Sequence, residues 1–98
     1  MTNKKEKKEN QPVLVTTEFR GVFFGYLKSD EKSPNEITLT GAKNCIYWST
    51  SVGGFLGLAS TGPDGNCRIG KRVEKLTLYK ITSITPVTKN ATDKWEAA

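Results

Sequence analysis

The chain has no histidine, only two cysteines and one methionine, and no long apolar run. Each absence removes a class of chemistry. Without histidine, a serine or cysteine nucleophile lacks its usual general base. Cys45 and Cys67 stand far apart in sequence with no histidine beside them, so they do not make the four-ligand set that a structural zinc takes. A disulfide between them is not expected in a reducing cytosol, and each lies among apolar residues, as a small buried hydrophobe does. The ten carboxylates are dispersed, with only Asp30 and Glu31 adjacent. Gly53-Gly54 and Gly62-Pro63-Asp64-Gly65 are not followed by Gly-Lys-Ser/Thr, which excludes a P-loop. No apolar segment approaches the roughly 20 residues of a membrane helix, and the charged N-terminus lacks a signal peptide's apolar stretch. The expectation is a cytoplasmic, non-enzymatic protein with no metal, no cofactor and no membrane contact.

What is present fits one small domain. Ninety-eight residues hold a single modest core, and 36% hydrophobic content with nine glycines is globular in character. The net charge of +5 is concentrated at the start, where residues 4–8 carry four lysines. Without that tail and its two glutamates the body is only +3, with its lysines scattered. Such a tail reads as solubilising, and nucleic acid is not the expected partner. Residues 1–12 are expected to form a disordered basic tail, closed by Pro12, ahead of a compact β-rich domain over 13–98.

Residues 13–27 have β texture throughout. Period-2 alternation places Val13, Val15, Thr17, Phe19, Phe23 and Leu27 on one face and Glu18, Arg20, Val22, Phe24 and Tyr26 on the other. Gly21 and Gly25 suggest a strong bend or bulge in this strand. Residues 29–35 read as a loop, 36–40 as a strand, 41–44 as a turn or bulge, and 45–50 as a further strand. Residues 52–60 suit one or two helical turns, although their glycines oppose helix. Residues 62–65 form a turn by composition. A β segment over 73–87 breaks its alternation near Lys80 and ends at Pro86. Residues 90–98 suit a terminal helix capped by Asn90 or Thr92 and docked through Trp95. The predicted fold is mainly β, a small antiparallel barrel or sandwich, with one short helical segment and a short C-terminal helix. Because both faces of 13–27 are apolar, a homo-oligomer (dimer or tetramer) is expected, with sites at its interfaces.

The richest stretch for binding is 44–70, which crowds glycine, Tyr47, Trp48 and Phe55 around a single arginine. Glycine lets backbone approach a ligand closely, and aromatic rings stack. Only three of the fifteen basic residues are arginines, whose planar fork grips phosphate or carboxylate through two bonds. Arg20 shares a strand face with Phe24 and Tyr26, with a bridge to Glu18 as the structural alternative. Arg68 follows a glycine turn and precedes Lys71 and Arg72, either as a phosphate cradle or as a charged edge that resists aggregation. If 45–50 is a strand, Tyr47 and Trp48 point to opposite faces, one into the core and one free to stack. The candidate ligand-binding residues are Arg20, Phe24, Tyr47, Trp48, Ser49, Arg68 and Lys71.

Phe19-Arg-Gly-Val-Phe-Phe-Gly-Tyr26, Asn44-Cys-Ile-Tyr-Trp-Ser49, Gly54-Phe-Leu-Gly-Leu-Ala59, Gly62-Pro63, Cys67-Arg-Ile-Gly70 and Leu76-Thr-Leu-Tyr79, in that order, resemble a group of short bacteriophage proteins classed as a domain of unknown function. The resemblance covers about residues 17–96. It implies a phage protein at work in the cytoplasm of the infected bacterial host. In kind, the chain also resembles anti-CBASS sponges, small phage proteins that bind cyclic dinucleotides such as 3′3′-cGAMP without cleaving them. This resemblance implies immune evasion by sequestration, with Arg20 and Arg68 on phosphates and Tyr47 or Trp48 on bases. Two alternatives stand beside it: direct inhibition of a host protein, and single-stranded nucleic-acid binding.

Overall fold

The computed structural model describes residues 10–18, 21–28 and 36–98. The tail up to residue 9, the expected loop at 29–35, and Phe19 and Arg20 lie outside them. Six antiparallel strands and two short helices follow in the order β1 (Asn10–Thr17), β2 (Gly21–Lys28), β3 (Glu36–Tyr47), a 3-10 turn (Thr50–Val52), α1 (Gly54–Ser60), β4 (Arg68–Ile69), β5 (Val73–Tyr79), β6 (Ile81–Pro86) and α2 (Lys89–Ala97). The mainly antiparallel β class and both helices agree with the sequence reading. No helix among the described residues is long and apolar enough to cross a membrane.

The β texture over 13–27 belongs to two strands, not one bent strand. β1 pairs antiparallel with β2 from Asn10↔Lys28 to Thr17↔Gly21, so Gly21 opens a strand where it was expected to bend one. β1 also starts at Asn10, three residues before the expected domain boundary. Pro12 sits within it because no N–H is needed there, while its carbonyl accepts the Val87 N–H at 3.1 Å. β3 runs unbroken through 41–44, and of the two expected alternatives there, turn or bulge, it is the bulge that forms: Phe24 pairs with Lys43 and Tyr26 with Thr40, leaving two residues of β3 against one of β2. Gly41 takes up the extra residue with a left-handed φ of 57°, a conformation that a Cβ would strain. Beyond the bulge β3 ends at Tyr47, not at Thr50.

Strand order is β4-β3-β2-β1-β6, with β5 also paired to β3. β5 therefore lies at one side of the curled sheet and β6 at the other, linked through Lys80 at φ 56°. The expected interruption near Lys80 is this link. No ladder joins β5 to β6 among the described residues, so the sheet is open where a closed barrel or two-sheet sandwich was expected.

The period-2 faces of β1 and β2 are both buried, by different partners. One face sends Val13, Val15 and Leu27 against Ile37, Leu39, Ala42 and Leu78, inside the curl of the sheet. The other sends Leu14, Val22 and Phe24 against Leu58, Ala59, Ala91 and Trp95, beneath the two helices. Each large side chain buried in this way contributes roughly 1.5–3 kcal/mol. Since one chain covers both faces, they no longer supply a reason to expect a homo-oligomer.

The helices are fixed to each other as well as to the sheet. α2 is capped by Thr88, not by Asn90 or Thr92. The Thr88 backbone is extended, and its hydroxyl accepts the Ala91 N–H at 3.1 Å and donates to the Ser60 carbonyl at 2.8 Å. Its own N–H donates to Ala59 O, so the cap also ties α2 to the end of α1. α1 presses on the preceding 3-10 turn at Gly57, where a Cβ would stand 1.5 Å from the Val52 carbonyl oxygen. Trp95 docks α2 as expected. It is fully buried, its ring lies 5.0 Å from that of Phe24 with planes 3° apart, and its Nε1–H donates to Leu58 O at 3.0 Å.

Trp95→Ala is expected to cost about 3–5 kcal/mol, most of the stability of a domain this size. Trp95→Phe keeps ring contact with Phe24 but orphans the Leu58 carbonyl, and is expected to cost about 1–3 kcal/mol. Urea-denaturation midpoints of the two variants check the order, with alanine clearly the more damaging.

Candidate functional site

The sequence candidates separate into three groups. Arg20 lies outside the described residues. Phe24 is fully buried, stacked on Trp95 and edge-to-face with Tyr26, so it is a core residue and not a ligand contact. The expectation failed because strand alternation shows which residues share a face, and not that two helices cover that face. Tyr47, Trp48, Ser49, Arg68 and Lys71 lie around one end of the molecule, where β3 meets β4 and the 3-10 turn begins.

At that end a second bulge in β3 sets the exposed surface. Cys45 pairs with Ile69, but Tyr47 pairs with Arg68, so β3 advances two residues while β4 advances one. Cys45 and Ile69 face the core, whereas Ile46 and Tyr47 are turned out, 60% and 56% exposed. Arg68 is exposed directly opposite Tyr47, and directly opposed residues in a ladder share a face. Lys71 is exposed in the link to β5. Of the two aromatics, Trp48 packs partly on the core and Tyr47 is the free ring.

Ser49 is structural. Its hydroxyl donates to the Asp64 carboxylate at 3.2 Å, Ser51 donates to the same carboxylate at 2.6 Å, and the Asn66 N–H adds a bond at 2.9 Å. Asp64 thereby ties the expected turn at 62–65 to the 3-10 turn. The Ser51 bond first, then Asn66, against a small opposing effect of burial and with help from Cys67 and Ser49, hold its carboxyl below the usual carboxylate value. Both cysteines are free thiols. Burial, with a smaller effect of Cys67, pushes the Cys45 thiol up to about 11, so it is unreactive at neutral pH. Among the described residues no group of three His, Cys, Asp or Glu side chains is placed to hold a metal ion.

A second polar cluster, which sequence reasoning missed, lies at the C-terminal end of α2. Glu96 accepts from Arg72 on one carboxylate oxygen and from the Tyr26 hydroxyl on the other. Below it, buried Lys43 donates to the carbonyls of Trp95 at 2.8 Å and Ala98 at 2.9 Å, closing the helix end against its dipole. Burial, then the Arg72 charge, lowers the Lys43 pKa, partly offset by Glu96. For Glu96, burial acts upward, but the bonds from Tyr26 and Arg72 and the charges of Arg72 and Lys43 together hold its carboxyl down. Beside this cluster an open cleft of about 620 Å³ is lined by Thr40, Gly41, Arg72, Glu74 and Lys75. Tyr26, Arg72 and Glu96 are far apart in sequence, and no linear motif announces them.

Burial, then the hydrogen bond and charge of Glu96, raise the Tyr26 pKa from 10.0 to about 12. A pKa raised on folding contributes stability that is fully present below the unfolded value and lost as pH rises to the folded one. The stability advantage of wild type over Tyr26→Phe is therefore expected to hold up to about pH 10 and to vanish towards 12, as read from urea unfolding across that range. Asp64→Asn is expected to speed amide exchange at 62–67 at neutral pH. In wild type the same loosening is expected only in acid, as pH falls through the depressed Asp64 pKa.

No curated protein and no solved structure shows a match to the chain. The family model of the domain of unknown function DUF6948 matches residues 10–95, from the first residue of β1 to Trp95 in α2, and the chain belongs to that family.

Proposed function

We propose that the chain is a non-enzymatic binding protein that sequesters a cyclic dinucleotide second messenger, of the 3′3′-cGAMP kind, in an infected bacterial cell. The observation that carries this reading is the exposed Tyr47 ring directly opposite Arg68, with Lys71 three residues further on. A ring beside a guanidinium suits a ligand that is part flat base and part phosphate. The ring stacks on the base, while the fork and the ammonium meet the phosphate oxygens. The chain has no histidine, and the described residues around Tyr47 and Arg68 bring no two carboxylates together to move a proton, which supports holding the ligand over converting it.

A second reading is supported by Ile46 and Leu56, each 60% exposed. Apolar side chains outside the core suit a protein contact, and direct inhibition of a host protein uses them where nucleotide binding does not.

Stacking on one aromatic is worth about 1–3 kcal/mol, or roughly five- to 150-fold in affinity. Tyr47→Ala and Arg68→Gln are each expected to weaken binding of labelled 3′3′-cGAMP by about tenfold in calorimetric titration. Ligand recovered after heat denaturation is expected to be intact. Cleaved ligand, or no binding to any cyclic dinucleotide, overturns the proposal. Loss of host-protein capture on Leu56→Lys, with nucleotide binding absent, supports the second reading instead.

A further inference from the structure

Neither Tyr47 nor Arg68 lines the cleft beside α2. We infer that it binds the phosphoryl oxyanion of a small hydroxyl-bearing molecule, with Arg72 and Lys75 on the anion and Glu74 on the hydroxyl groups.

Arg72 is the anchor. One terminal nitrogen is held by Glu96, and the other Glu96 oxygen is held by Tyr26, so the guanidinium is fixed in place before any ligand arrives. A guanidinium carries five N–H donors, and Glu96 engages it at one terminal nitrogen. The side chain remains 43% exposed. Gly41 opens the way to its Nε: a Cβ on that residue would stand 4.0 Å from Arg72 Nε and 3.6 Å from the Tyr26 ring. The glycine that the β3 bulge requires therefore also leaves the guanidinium edge uncovered.

The other groups are placed by the β3–β5 ladder. Lys75 pairs directly with Thr40, both are exposed, and directly opposed residues share a face. Arg72 enters from the residue just before β5, so one guanidinium and one ammonium line the same cleft. Glu96 already pairs with Arg72, so an anion is drawn by the open N–H edge of the oriented guanidinium and by the Lys75 ammonium, not by an excess of positive charge. Glu96 is occupied on both oxygens, whereas the Glu74 carboxylate makes no hydrogen bond or ion pair among the described residues. A bare inorganic anion would be repelled by Glu74. A phosphorylated polyol or sugar offers that carboxylate hydroxyl donors while its phosphoryl group meets Arg72 and Lys75. About 620 Å³ suits a molecule of this size.

The test is a ¹H–¹⁵N NMR titration of the full chain at fixed ionic strength with ribose 5-phosphate, ribose and sodium sulfate. Ribose 5-phosphate is expected to shift the Gly41 and Lys75 amides and the Arg72 Nε–H resonance to saturation, and ribose alone to leave them unmoved. Arg72→Gln is expected to weaken binding at least tenfold and Lys75→Gln at least threefold. Glu74→Gln is expected to weaken ribose 5-phosphate but to strengthen sulfate. Lys75→Gln leaves the Tyr26–Glu96–Arg72 chain intact and decides the matter if Arg72→Gln fails to fold. Shifts confined to Arg68 or to lysines 4–8, unaltered affinity in Lys75→Gln, or equal affinity for sulfate and ribose 5-phosphate overturns the inference.

Discussion

Trp95 joins three elements through three separate groups. Its ring stacks on Phe24 of β2, its indole N–H donates to the carbonyl of Leu58 in α1, and its own carbonyl accepts from Lys43 of β3. Removing any one of these leaves a buried polar group or a cavity, so the three act together rather than as independent increments. The seating of α2 then places Glu96 over the sheet, and Glu96 orients Arg72 and Tyr26. The polar cluster at the cleft therefore inherits its geometry from the apolar contact that the adjacent residue, Trp95, makes with Phe24.

The open sheet leaves two side strands, and their treatment differs. At β6, Thr16 Oγ1 reaches both Thr82 Oγ1 at 2.6 Å and Ser83 Oγ at 2.5 Å, across a register shift between Thr16 and Thr17. That irregularity, with Pro86 closing the strand, is how an edge is made unfit for pairing with another chain. β5 keeps regular register with β3 from Glu36↔Tyr79 to Ala42↔Val73 and carries Glu74 and Lys75 instead. Its protection is charge, and two of the charges that guard it are the ones that line the cleft.

Much of this was legible in the sequence, and the reason is local. The two faces of β1 and β2, the break at Lys80 and the docking role of Trp95 all follow from periodicity or from one large residue near a chain end. What was misread depends on partners distant in sequence. Gly21 opens a strand because of what pairs across from it, and a single strand does not reveal its neighbour. Phe24 looked available for stacking because the residue that stacks on it lies 71 positions away. Thr88 outcompeted Asn90 as a cap because α1 supplies the Ser60 carbonyl for its hydroxyl. Tyr47 and Arg68 were legible as types, while their opposition across the ladder required the bulge that turned Tyr47 outward.

Arg68 and Arg72 show how the fold divides a single basic cluster. In sequence they are four residues apart with Lys71 between, and they read as one patch. In the structure Arg68 lies in β4 opposite Tyr47, while Arg72 leads into β5 and reaches Glu96 at the end of α2. The separation arises because β3 bulges twice: at Gly41, beside the β5 ladder, and at Ile46, within the β4 ladder. Between these points β3 passes from one partner strand to the other. The short link over residues 70–72 makes the same passage alongside it, held at Gly70 by a 2.8 Å bond to the Asn44 carbonyl. An arginine on each side of that bond meets a different surface. Charge counted along the chain therefore overstates what either surface presents, since each receives one guanidinium and one nearby lysine. Binding at such a surface depends on how each guanidinium is oriented more than on total charge. Arg72 is oriented by a carboxylate held at both oxygens, and Arg68 by its place opposite an exposed ring.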